Sequence, residues 1–422
     1  MCIARMAVNL LIAVRKNALF SCNSFYSLNG FSYIILLIVC CFFCEMETVY
    51  YYFVLFALSV GWLNVPPPAA GVAHTHSASV ETAVKLDSLF QMFSSKSGFN
   101  GNVLVSQYGE VLYKHSFGYS DLKAKTPLML ESTFQIASVT KQFTAMAIMM
   151  LYEEGKLKFT DTVQRFFPDF SYKDITVREL LAHRSGLPEY MSFAGKYWKN
   201  RKQFMKNRDV MDMLIYDHPA KIFQPDKKYR YSNTGYVVLA SIVEKVSGIP
   251  FENFLEERIF HRLGMTHTFI GSFASTVADE FKTKGYKKNR RLAEEDFLSD
   301  VVGDKGVYST VEDMYKWDQA LYTDQLVHQK TLEEAFTPVS YDRRHATSYG
   351  YGWRIDMLED GSKIVYHAGL WRGYNSLFVR RLSDKTAIIV LSNHINWSFR
   401  NIDRMMDILD SSKQGAILFG GD

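Results

Sequence analysis

The sequence predicts an α+β fold in which a helical region is inserted into a mostly antiparallel sheet. Three observations lead there. Two strand-like runs, Asn102–Ser106 and Val111–Phe117, flank a hairpin signal at Tyr108-Gly109. From Ser138 to about residue 330 the pattern is mostly helical, punctuated at Gly186-Leu187-Pro188, Gly248-Ile249-Pro250 and Gly264. Strands then return at Tyr351–Ile355, Lys363–His367, Ser376–Arg380 and Ala387–Leu391, before an amphipathic helix over about Arg400–Leu409. No internal repeat interrupts this order.

Length and composition narrow the classes. A chain of 422 residues has room for one large domain or a few smaller ones. A net charge of +4 is too small to suggest nucleic acid as a partner. All five cysteines (Cys2, Cys22, Cys40, Cys41 and Cys44) lie in the first 44 residues. The rest of the chain therefore has no cysteine nucleophile, zinc–thiolate site or disulfide framework.

Residues 1–73 read as a signal or membrane-anchor segment. Arg5, Arg15 and Lys16 precede two apolar runs, Phe31–Cys44 and Val49–Val65, and then Pro66-Pro67-Pro68. The second run is just long enough to span a bilayer, and the basic residues ahead of it predict an exported domain. Gly71 and Ala73 also suit signal-peptide cleavage after Ala73, and Met46 is a second candidate start. His74 to Ser79 reads as a linker, and Val80 to Ser95 as a helix with Val84, Leu86, Leu89 and Phe90 on its apolar side. Two basic stretches, Lys196–Arg208 and Lys282–Arg291, read as solvated faces of the helical region.

The chemistry centres on Ser138-Val139-Thr140-Lys141, where a short apolar run becomes a helix ending near Gly155. A serine at that junction lies by the first turn, where unpaired N–H groups favour a developing negative charge. Lys141 lies one turn on along the same face and can take the serine proton. Ser120-Asp121-Leu122-Lys123 fits the same spacing but reads as a turn. A second element, Tyr231-Ser232-Asn233, projects Tyr231 and Asn233 the same way; a phenol beside a cation becomes a usable proton carrier. A third, His367-Ala368-Gly369, closes the predicted strand Lys363–Tyr366 with small residues that let a substrate backbone lie alongside. The N–H of Leu370 with that of Ser138 would form a two-donor oxyanion hole. His367 adds a group whose charge depends on pH.

These three elements, in this order, resemble the penicillin-recognising serine hydrolases: class C β-lactamases, D-Ala-D-Ala peptidases and related esterases and D-aminopeptidases. The resemblance runs from about Leu89 to Asn396. It extends to Thr176–Pro188, Gly264–Thr268 and Gly306–Met314, flanks in which His183, His267 and Asp313 are expected to be structural. It implies a β-lactamase-like two-lobed fold, with a five-stranded antiparallel sheet flanked by helices (about 80–137 and 345–410) and an all-helical lobe (about 138–340), within a hydrolase domain of 74–415. It assigns Ser138 as nucleophile, Lys141 and Tyr231 as the proton-transfer pair, and Asn233 as ligand of the substrate amide. His367, Ala368, Gly369 and Leu370 would line the substrate strand. No metal or cofactor is implied, and the partner is a small-molecule or peptide substrate. β-Lactamases usually carry Lys-Thr-Gly as the third element. The change to His367-Ala368-Gly369 favours a peptidase or esterase, with Arg372 as a candidate source of the missing charge; a true class C-type β-lactamase and a penicillin-binding or sensor domain that is acylated without turnover are the alternatives.

Overall fold

The computed structural model describes residues 72–271, 281–400 and 402–418. The chain divides into two units, Met1–Val72 and Ala73–Asp422. The predicted signal or anchor segment and the alternative start at Met46 thus lie outside the described residues, save for Val72 and Ala73.

Helix α1 spans Val72–Ser97 and is followed by strands β1 (Gly101–Gln107) and β2 (Glu110–Phe117). Helices α2 (Thr140–Glu153), α3 (Asn233–Ser247) and α4 (Val311–Ala320) anchor the helical region. Six strands follow: β3 (Ser340–Asp342), β4 (Thr347–Tyr349), β5 (Arg354–Met357), β6 (Lys363–Trp371), β7 (Tyr374–Arg381) and β8 (Thr386–Ser392). Helix α5 (Ile402–Leu418) closes the described chain. The linker expected at His74–Ser79 is instead the start of α1.

The main sheet is antiparallel with eight strands, in the order β2-β1-β8-β7-β6-β5-β4-β3. This is three strands more than the five expected: β2, β1, β8, β7 and β6 match predicted runs, β5 overlaps the predicted Tyr351–Ile355 only at Arg354 and Ile355, and β4 and β3 extend the sheet beyond it. Strands β3 and β4 are three residues each, too short for an alternating pattern to register in sequence. The β1–β2 turn has left-handed φ at both central residues, Tyr108 (56°) and Gly109 (77°), which suits the twist of a tight hairpin.

Side chains alternate across the sheet and feed two cores. On one face Val103 and Val105, Leu377 and Val379, and Ile388 and Val390 pack with Leu86, Phe90 and Phe93 of α1 and Met405 and Leu409 of α5. On the other face Leu104, Phe378, Ile389 and Leu391 join the larger core around α2. Every residue of α2 from Thr140 to Leu151 is buried, so the helix is enclosed on all sides. Burying an apolar side chain of that size contributes about 1.5–3 kcal/mol. The helix that presents Lys141 is therefore a fixed post rather than a surface element. Arg380 of β7 and Asp318 of α4, both fully buried, bond at 2.6 Å and tie the helical region to the sheet.

The Lys196–Arg208 stretch is a surface segment anchored from beneath. Tyr197 and Trp198 pack on the core, Lys206 pairs with Asp300, and Arg201 stacks on Phe297. Among the described residues no helix is long and apolar enough to cross a membrane.

Candidate active site

Ser138 sits in a single 3-10 turn, Ala137–Val139, that leads into α2. Ala137 has a φ of 49°, a conformation an L-residue adopts at a cost, so the turn before Ser138 is held by its surroundings. The hold is visible: Ser376 of β7 donates to the Ile136 carbonyl at 2.7 Å. Gly369 of β6 lies so close that a Cβ there would stand 2.3 Å from that same oxygen and 2.9 Å from the Ala137 Cβ. Glycine at 369 thus lets the strand and the nucleophile turn touch.

Lys141, fully buried, points its ammonium at three oxygens. It donates to Ser138 Oγ at 3.2 Å, Asn233 Oδ1 at 2.9 Å and the Asp304 carbonyl at 2.8 Å. Burial drives its pKa down to about 8, with the Asp304 and Glu189 carboxylates pulling back upward. Tyr231 lies beside it, with the Lys141 ammonium 4.9 Å from the ring centre, and the Ser138 hydroxyl is near enough to favour its phenolate. Burial pushes the Tyr231 phenol above its ordinary value; the Ser138 hydroxyl and Arg354 lower it only in part. The expectation that Lys141 tunes Tyr231 toward a phenolate is therefore corrected. The resting site holds a neutral phenol and an easily deprotonated lysine, because burial disfavours the charged form of each.

Asn233 is the first residue of α3, whose cap is Ser232: its Oγ accepts the Gly235 N–H at 3.2 Å. The Asn233 N–H donates to Glu189 Oε2 at 3.0 Å. With its carbonyl oxygen engaged by Lys141, the amide NH2 of Asn233 is left for a substrate carbonyl, its one hydrogen-bond partner among the described residues being the Met191 sulfur at 4.0 Å. Glu189 was not singled out in the sequence. It is a buried carboxyl raised to about 7, chiefly by burial, and its Oε1 has no partner among the described residues.

The third element lies inside β6 rather than past its end. β6 runs to Trp371, while β5 pairs with it only as far as Tyr366 (opposite Arg354). From His367 to Trp371 the strand pairs, among the described residues, with β7 alone, so its other edge is open to an extended substrate. Leu370 is exposed there. His367 is buried and turned inward: Nδ1–H donates to the Ala368 carbonyl at 2.8 Å, and Nε2 accepts from Tyr349 O–H at 3.1 Å. Burial and Lys141 hold its pKa well below the usual histidine range, so the pH-dependent charge expected of His367 is absent near neutrality. Arg372 does not supply a free charge either: it is bonded to Asp296 and stacks on Trp371.

The flanking residues behave as scaffold. His183 Nδ1 accepts the Ser232 N–H at 3.1 Å, and its ring packs 4.3 Å from that of Tyr231. Asp313 receives the His267 N–H at 2.8 Å and the Thr268 hydroxyl at 2.9 Å. The rival serine, Ser120, is buried and donates its hydroxyl to the Thr126 carbonyl.

A serine bonded to a buried lysine and neighboured by a phenol, beside an open strand edge, is the equipment of an acyl-transfer site. Comparison with known proteins agrees. The profile of the beta-lactamase family matches residues 70–409. The chain belongs to the beta-lactamase family. Within it, penicillin-binding protein 4* of Bacillus subtilis (strain 168) is 36% identical over 321 residues, covering 73% of this chain and 71% of that one. A D-aminopeptidase of Gluconobacter oxydans (strain 621H) is 23% identical over 301 residues, which are 71% of this chain and 56% of that longer protein. The crystal structure of D-amino acid amidase from Ochrobactrum anthropi SV3 superposes with a TM-score of 0.64 at 26% identity, over 78% of this chain and 99% of that one. Family and relatives together make this protein a penicillin-recognising serine hydrolase of β-lactamase-like fold.

Proposed function

We propose that this protein cleaves an amide or ester bond of a small or peptidic substrate through an acyl-enzyme on Ser138. The observation that carries the reading is the Lys141 ammonium, donating to Ser138 Oγ while its own pKa is lowered to about 8. Neutral Lys141 takes the Ser138 proton as Oγ attacks the carbonyl carbon. The N–H groups of Ser138 and Leu370 hold the oxyanion, and Asn233 Nδ2 holds the substrate's neighbouring carbonyl. As the carbon–nitrogen bond breaks, the Tyr231 phenol gives its proton to the leaving amine and is reprotonated by Lys141. Water then attacks the acyl group, its proton passes to the same pair, and Ser138 is restored.

The peptidase or esterase reading is favoured over a β-lactamase proper by the third element. Its imidazole is neutral and committed to Tyr349, and Arg372 is committed to Asp296, so neither offers an antibiotic carboxylate a free cation. The D-aminopeptidase and D-amino acid amidase relatives support amides of D-amino acids as the first substrates to try. We further propose that residues 1–73 export the catalytic domain, on their length, apolar runs and flanking charge. The decisive assay is a hydrolysis panel of D-amino-acid amides, D-Ala-D-Ala peptides, short-chain esters and nitrocefin. Turnover of amides or esters that Ser138→Ala abolishes supports the reading. Undiminished turnover by that variant refutes the nucleophile, and nitrocefin as the preferred substrate refutes the substrate class.

A further inference from the structure

Behind Lys141 lies a second buried lysine that the proposed reaction does not use. Gly303-Asp304-Lys305-Gly306 is a tight turn bracketed by glycines with φ of 100° and 111°. A Cβ on Gly303 would stand 2.6 Å from the Ala240 Cβ and 2.8 Å from the Tyr236 carbonyl of α3; on Gly306 it would stand 2.9 Å from Val302 Cγ1. The turn is thereby pressed against α3. It is also tied to α2, because the Gly303 carbonyl accepts the Thr144 hydroxyl at 2.7 Å.

Asp304 is the joint between the two lysines. Its main-chain carbonyl accepts from Lys141 at 2.8 Å. Its carboxylate Oδ2 lies 3.1 Å from Tyr190 Oη, and Lys305 Nζ donates to that same Oη at 2.8 Å and to the Val301 carbonyl at 2.6 Å. An ammonium only donates, so the direction is fixed: Lys305 gives to Tyr190, and Tyr190 gives to Asp304. Lys305 also stands 4.7 Å from the Trp371 ring centre at the end of β6 and 3.6 Å from Asp304 Oδ1. Asp304 and Lys305 are almost fully buried.

We propose that this turn is a positioning element for Lys141, in which the Asp304 carboxylate and the Lys305 ammonium act on the Lys141 charge in opposite directions. The carboxylate favours the protonated lysine, and the second ammonium, pinned through Tyr190, disfavours it. The other groups facing Lys141 are Glu189, the neutral imidazoles of His183 and His367, and the phenols of Tyr231 and Tyr236. Lys305 is the buried cation of this turn, and its ammonium and that of Lys141 disfavour each other's charge. Its conformation is set by Tyr190, Val301 and Trp371, none of which belongs to the three sequence elements.

This inference rests on Lys141 being the base for Ser138, and its test separates the two. The pH profile of kcat/KM is measured for the wild type, Asp304→Asn, Lys305→Met and Lys305→Arg with the best substrate of the panel. The wild-type rate rises with pH through the Lys141 ionisation. In Asp304→Asn that rising limb moves to lower pH by about one unit, and in Lys305→Met to higher pH by about as much, as for loss of one nearby charge. Lys305→Arg, which keeps the cation, restores the wild-type limb. A merely structural role would lower rate or melting temperature without displacing the limb in opposite senses. A limb that stays put in Lys305→Met, or moves the same way in both variants, overturns the inference. Should Asp304→Asn fail to fold, the Lys305→Met and Lys305→Arg pair decides alone. A wild-type profile with no rising limb overturns the base assignment and this inference together.

Discussion

Replacing Lys141 by arginine tests the proposed mechanism at its most specific point. The buried lysine titrates at about 8, so at pH 7 about one molecule in ten carries the free amine, against about one in three thousand for an unperturbed lysine. Burial thus raises the population of competent base by roughly 300-fold, a differential of about 3 kcal/mol at 1.36 kcal/mol per unit. A guanidinium keeps the positive charge and the donors toward Asn233 and the Asp304 carbonyl but is never neutral in a protein. Lys141→Arg is therefore expected to lose at least about 1000-fold in kcat/KM at pH 7, general-base loss and misplacement combined. The assay is steady-state hydrolysis of the preferred amide, with folding checked by circular dichroism. The wild type, by the same reasoning, gains activity as pH rises toward 8 and levels off above it. A Lys141→Arg variant within tenfold of wild type would refute the argument that a neutral lysine deprotonates Ser138.

Other consequences are independent of that variant. Tyr231→Phe removes the hydroxyl that faces Ser138 and should lower kcat by about 100- to 10,000-fold while leaving the melting temperature nearly unchanged; stopped-flow and melting curves together check this. Gly369→Ala places a Cβ 2.3 Å from the Ile136 carbonyl and 2.4 Å from Ser376 Oγ, so it should destabilise the fold by about 1–3 kcal/mol in a urea melt and misplace Ser138. Because burial holds the imidazoles of His367 and His183 far below the usual range, neither should titrate in a histidine NMR experiment between pH 5 and 8. A His367 resonance that titrates near 6.5 would return to that residue the pH-dependent charge the structure denies it.

The parts of the fold read from sequence are those with long local patterns. The β1–β2 hairpin was legible in two strand-like runs around Tyr108-Gly109, and β6, β7 and β8 each in a run of apolar residues. Strands β3 and β4 were not, because three polar-rich residues paired at a sheet edge carry no period of their own. The length of β6 was also hidden. His367-Ala368-Gly369 looks like a strand end by composition, yet pairing with β7 keeps the backbone extended to Trp371.

The site divides in the same way. Ser138, Lys141, Tyr231 and Asn233 were legible from residue type, spacing and the family resemblance, and the structure gathers Ser138, Tyr231 and Asn233 around the Lys141 ammonium. What the sequence could not show is which protonation state each holds. The depressed lysine and the raised phenol both follow from enclosure by distant parts of the chain, and that is a tertiary property. Asp304 escaped notice for another reason: it meets Lys141 through its backbone carbonyl, which no side-chain pattern reports. Its one sequence signal is the pair of bracketing glycines, Gly303 and Gly306, which mark a turn under close contact.

The central claim is that Ser138 carries the acyl group. It is tested most directly by rapid-quench mass spectrometry of the protein mixed with p-nitrophenyl acetate, followed by peptide mapping. The mechanism predicts a transient acetyl adduct on the peptide containing Ser138, formed and lost at rates that account for turnover and missing in Ser138→Ala. Continued turnover with no adduct, or with the adduct on another residue, would contradict it.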